Sequence, residues 1–142
     1  MKKRIICIGI LGLLIFLLSS CAYSVQEYAS AIYANWSIQL PKSYTEVYST
    51  DDGESFLGDG LRYHVFEYED INDIKDHLDW KTNKNTIVEN QVIEIMNNLD
   101  IDDMYLLNFN QTYKYVEKYD GDGSSLFLIL IDNMLYVVEE FY

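Results

Sequence analysis

His64 and His77 are the two side chains that exchange protons near neutral pH without help from their surroundings. His64 sits in an alternating stretch beside Arg62 and Phe66, and His77 stands among Asp73, Asp76 and Asp79. A hydrolytic triad would add a serine on a strained Gly-x-Ser-x-Gly turn. The nearest approach is Gly53-Glu54-Ser55-Phe56-Leu57, which lacks the second glycine. Without such a partner a histidine is usually structural, so His64 reads as a satisfied sheet residue and His77 as a solvated helix residue. Hard cations would look to Asp120, Asp122 and Ser124, at positions 1, 3 and 5 of a calcium-loop start. The pattern then breaks: Ser125 stands where position 6 needs glycine, and Ile131 where position 12 needs an acid. A hairpin turn explains these residues more simply. Paired carboxylates carry no weight for glycoside hydrolysis, because 23 acids in 142 residues place some together by chance. No spacing asks for a cofactor.

Recognition is the other chemistry to look for. Ser49 to Gly60 reads as the main loop, with Asp51-Asp52-Gly53 and Gly58-Asp59-Gly60 marking turns. Phe56 and Leu57 lie within it, Asp59 at its end, and Tyr63 and His64 on the strand that follows. These five form the candidate binding surface, since loops on a rigid sheet are where recognition concentrates. The chain also has 13 tyrosines, a residue that brings contact area and a polar tip to interfaces.

Hydrophobic periodicity predicts the scaffold that would hold them. Ala22 to Asn35 reads as a tether with one or two helical turns, marked by Ala29, Ile32, Tyr33 and Trp36. Trp36 to Leu40 alternates like a half-buried strand closed by Pro41, the single proline. That segment is similar to the opening of photosystem-associated lipoprotein folds, over six residues and with no functional implication. Tyr44 to Ser49 alternates weakly, as an edge strand would. Leu61 to Tyr68 alternates strongly, with Leu61, Tyr63 and Val65 on one face and Arg62, His64, Phe66 and Tyr68 on the other. Asp70 caps a short helix carrying Ile71, Ile74 and Leu78. Thr86-x-x-Glu89 is a capping box before the stripe Val88, Val92, Ile95, Met96 and Leu99. Asp100, Asp102 and Asp103 then read as solvated charge.

Thr112 to Tyr119, Leu126 to Ile131 and Met134 to Phe141 are strands, joined by turns at Asp120–Ser125 and Asp132-Asn133. The unbroken apolar run of the middle one marks a strand buried on both faces. The fold class is therefore α+β: an antiparallel sheet of four to six strands ending in a three-strand meander, with one face covered by one or two helices.

Lys2-Lys3-Arg4 is followed by an uncharged apolar run from Ile5 to Leu18, the makeup of a secretory signal. The run ends in Leu18-Ser19-Ser20-Cys21. This resembles the lipobox of bacterial lipoprotein precursors. The resemblance implies cleavage before Cys21, a diacylglycerol thioether on its thiol, and attachment to the outer side of the cell membrane. It divides the chain into a signal peptide (residues 1–20), a lipidated tether (21–35) and a single α+β domain (36–142). Cys7 then leaves with the signal, so the remaining chain has no thiol for catalysis, thiolate metal sites or a disulfide.

The net charge is −13, and residues 1–20 carry +3, so the rest of the chain carries −16. Phosphate backbones and anionic lipid repel such a surface, which excludes nucleic-acid binding and polybasic membrane adsorption. The function class that remains is a lipid-anchored envelope module, non-catalytic, binding a basic peptide or envelope protein. A self-protection (immunity) lipoprotein is its sharpest form. The alternatives are a small envelope enzyme using His64 with a nearby acid, and an accessory subunit of an envelope complex.

Overall fold

The alternating stretches fold as five strands: β1 (Tyr44–Asp51), β2 (Gly60–Tyr68), β3 (Lys114–Tyr119), β4 (Ser125–Ile131) and β5 (Met134–Phe141). They form one antiparallel sheet in the order β1-β2-β5-β4-β3. The computed structural model describes residues 28–53 and 58–142. The chain divides into two compact units, Met1–Lys42 and Ser43–Tyr142. In the second unit the fold is α+β, with the three C-terminal strands as a meander and helices α1 (Asn72–Lys75) and α2 (Thr86–Asn97) inserted between β2 and β3. Among the described residues no helix is long and apolar enough to cross a membrane.

β4 lies between β3 and β5, and all seven of its residues are buried. Strand geometry sends alternate side chains to opposite faces. Phe127, Ile129 and Ile131 pack with Val88, Val92, Ile95 and Met96 of α2, while Leu126, Leu128 and Leu130 are buried on the far face. Each such side chain contributes about 1.5–3 kcal/mol on burial. The Asp132-Asn133 turn puts Asp132 at φ 52°, a left-handed position that aspartate tolerates, and returns the chain as β5.

β1 is one of the two edge strands, and its register on β2 shifts between Glu46 and Tyr48. The shift is a β-bulge, which re-aims the side chains beyond it. Glu46 therefore stands opposite Phe66, whereas Tyr48 stands opposite Val65 and stacks on Tyr105 at 4.6 Å.

Three local expectations are corrected. Trp36 to Leu40 is not a strand: residues 28–36 are helical, and residues 37–43 belong to no strand. Ala29, Ile32 and Trp36 share the helical period and are buried. Ser37, at φ 56°, ends the helix by donating its N–H to the Tyr33 carbonyl at 2.8 Å. The likeness at Trp36–Pro41 thus loses the strand it depended on. α1 is a single turn capped at Ile71, and Asp70 instead accepts the Asn72 N–H at 2.8 Å. α2 is capped by Asn85, not Thr86: the Asn85 carboxamide oxygen accepts from Ile87 N at 3.1 Å and Val88 N at 3.4 Å.

Candidate functional site

Two of the sequence-predicted binding residues are neighbours that the pleat separates. Tyr63 is fully buried on the α2 face, and its hydroxyl donates to the Tyr105 carbonyl at 2.7 Å. Burial pushes its phenol well above the ordinary tyrosine range. His64 points to the opposite face, where its Nδ1 lies 2.6 Å from the Glu46 carboxylate, both side chains half-buried. Ser49 stands opposite His64 in the β1–β2 register, and Arg62 stands opposite the buried Glu139. The Arg62 guanidinium lies 4.6 Å from the centre of the Phe141 ring. This face therefore holds one imidazole–carboxylate pair beside a row of apolar and charged side chains. Asp59 is exposed just before β2. Phe56 and Leu57, and the lipidation site Cys21, lie outside the described residues.

Asp120, Asp122 and Ser124 form the β3–β4 turn. The Asp120 carboxylate accepts the Gly121 N–H at 2.7 Å, and the Asp122 carboxylate accepts the Ser124 N–H at 2.8 Å. The Ser124 bond holds the Asp122 carboxyl below the usual carboxylate range. Ser124 Oγ accepts the Tyr142 N–H at 3.0 Å. These oxygens are engaged in making the turn. Among the described residues no three His, Cys, Asp or Glu are gathered as a metal site would need.

A second region escaped the sequence reading. Freed from the expected capping box, Glu89 turns toward the segment before β3 and is buried there. It accepts the Tyr113 O–H at 2.7 Å. The Tyr113 oxygen in turn accepts the Asn85 N–H at 3.2 Å, and the Asn85 carboxamide donates to the Tyr115 oxygen at 3.0 Å. Burial, and then the Glu89 carboxylate, push the Tyr113 phenol upward. Lys84 is exposed, its ammonium 3.8 Å from Glu89. Beside this network runs an open groove of about 550 Å³, with Lys84, Glu89, Ile93, Asp103, Leu106 and Phe109 in its lining. Leu107, the next residue of the loop, is buried in the core and turns Leu106 outward. The signal available in the sequence was Met104 and Leu106, apolar residues set just after Asp100, Asp102 and Asp103.

No protein family, curated protein or solved structure matches this chain.

Proposed function

We propose that this chain is a cell-envelope lipoprotein, held to the outer side of the cell membrane through acylated Cys21. Its acidic domain binds a basic peptide or protein partner and performs no catalysis on it. The observation that carries the reading is charge: 23 acids against 10 bases, with Asp100, Asp102 and Asp103 all exposed and Asp103 in the lining of a groove. Such a field attracts cationic partners and raises their association rate, an effect that salt screens. Protection of the producing cell against a basic secreted toxin is the sharpest form of this reading.

The test is capture. The full chain, held in lipid nanodiscs, is exposed to the producer's secreted and envelope fractions at low and high salt. A basic species retained at low salt and released at high salt is the expected result. Retention that ignores salt would overturn the electrostatic reading. The 2.6 Å contact between Glu46 and His64 favours one second reading, a small hydrolytic or proton-transferring enzyme centred on His64. An activity found in the chain and lost in His64→Ala would establish it. An activity that survives the substitution would remove it.

A further inference from the structure

We propose that the groove between α2 and residues 103–110 is a docking site for a basic segment with an apolar anchor. A lysine or arginine of the partner faces Glu89, and a neighbouring aliphatic or aromatic side chain seats among Ile93, Leu106 and Phe109. The inference rests on the reading of this protein as a binder of basic partners, and it gives that reading a place and a side-chain chemistry.

The apolar half of the site is defined by where aliphatic side chains are exposed. Every exposed isoleucine, leucine, valine or methionine among the described residues lies in α2 or the loop after it: Ile87, Ile93, Met104 and Leu106. Ile93 lies off the stripe of Val88, Val92, Ile95 and Met96 that α2 turns to the sheet, and Leu106 leaves the core to Leu107. The core uses neither side chain. Ile93 is 39% exposed and Leu106 43%, and both line the same groove. Ile87 and Met104 lie outside the groove lining, whereas Ile93 and Leu106 meet in one concave place, and apolar exposure joined in that way marks a binding surface. The volume falls within the range of roughly 300–1,000 Å³ common for ligand sites.

The charged half comes from Glu89 and Asp103. The Glu89 carboxylate is fixed by Tyr113, so it meets a cation with little ordering left to do. Among the described residues Lys84 is the one base in the lining, and at 3.8 Å with a 70% exposed side chain it is a loose partner. A solvent-exposed ammonium at that distance is weakly held, so a closer ammonium or guanidinium displaces Lys84 readily. A second copy of the chain would bring another net charge of −13 to an acid-rimmed groove, and is disfavoured as the occupant.

The experiment uses the full chain in zwitterionic nanodiscs, with empty discs subtracted. The probes are two fluorescent synthetic peptides of equal charge, one alternating lysine with leucine and one alternating lysine with serine. The lysine–leucine peptide is expected to bind the parent chain at least about tenfold more tightly than the lysine–serine peptide. Leu106→Ser, Ile93→Ser and Glu89→Gln are each expected to weaken it several-fold, with unchanged circular dichroism. Should Glu89→Gln unfold, the two exposed positions still decide the matter. Equal binding of the lysine–leucine peptide by the parent and the Leu106→Ser and Ile93→Ser chains would overturn the groove as the site, while leaving the charge-based reading in place. Failure of both peptides to bind at low salt would overturn both. Sedimentation without peptide completes the test: a dimer that Leu106→Ser dissociates would assign the groove to a second copy and overturn the proposal.

Discussion

The Tyr113 hydroxyl donates to the Glu89 carboxylate at 2.7 Å, tying the residue before β3 to the first turn of α2. A carboxylate this buried costs several kcal/mol unless donors replace its water. Tyr113 is one such donor, and the N-terminal end of the helix adds a favourable dipole. Tyr113→Phe should therefore leave the charge under-satisfied and lower stability by about 2–3 kcal/mol. Glu89→Leu in the Tyr113→Phe background should cost less than the two separate losses combined. Urea unfolding of the four chains measures both quantities. Strict additivity would mean that the two side chains act independently.

Asn85 and Thr86 are both good capping residues, and only one serves α2. The Asn85 side chain takes the Ile87 and Val88 N–H groups, whereas Thr86 is already helical. Asn85→Ala should cost about 1–2 kcal/mol, since it also loses the bond to the Tyr115 hydroxyl. Thr86→Ala should change stability by less than about 0.5 kcal/mol. Thermal melts of the two variants separate the alternatives, and a larger loss for Thr86→Ala would reassign the cap.

That choice shows where sequence reading stops. The stripe Val88, Val92, Ile95 and Met96 and the run Leu126–Ile131 are legible because burial imposes a period on a short stretch of chain. Asn85 wins over Thr86 through Tyr115, a contact 30 residues away that no local pattern encodes. Trp36 satisfies both a helical and an alternating pattern, and the helix takes it. The bulge in β1 accompanies a contact distant in sequence, the stacking of Tyr48 on Tyr105. The groove was illegible for the same reason. In the sequence Glu89 reads as half of a capping box, and only the fold sets it on one concave surface with Leu106. The separation of Tyr63 from His64, by contrast, followed from strand parity alone.

The proposed lipidation makes one residue decisive. Cys21→Ser removes the thiol that would carry the diacylglycerol and should abolish labelling by radioactive palmitate in the producing cell. Each buried methylene contributes about 0.8 kcal/mol to anchoring, so the acyl chains dominate the attachment of the processed protein. Label that persists in Cys21→Ser would remove the lipobox reading.

Alkali should destabilise the domain through its buried tyrosines. Burial raises the phenols of Tyr63 and Tyr68 above the ordinary value near 10, so both stay neutral in the fold while the unfolded chain ionises. The unfolded state then binds fewer protons than the native state, and stability falls as pH rises. The contribution is fully present below about pH 10 and declines above it by up to about 1.4 kcal/mol per pH unit for each tyrosine. Unfolding midpoints measured across this range should turn downward above about pH 10, with part of the slope missing in Tyr63→Phe. Tyrosinate absorbance should appear together with unfolding for these two residues. Its full appearance in the folded protein would show that they are solvated.

Gly60 begins β2 at φ 121°, a backbone setting that side chains rarely adopt. A β-carbon there would lie 2.6 Å from the Asp52 carboxylate. A flexible side chain could normally move aside, but Asp52 Oδ2 accepts the Leu61 N–H at 3.0 Å and so helps close the loop onto the sheet. Gly60→Ala must strain the backbone and break that bond as well, and should cost about 2–3 kcal/mol. Gly121 supplies the control, because it has no neighbour within 4 Å of an added β-carbon and no positive φ. Gly121→Ala should be neutral within about 0.5 kcal/mol. Chemical denaturation of the two variants gives the comparison. A Gly60→Ala chain as stable as Gly121→Ala would mean that the Asp52–Leu61 closure is not part of the folded state.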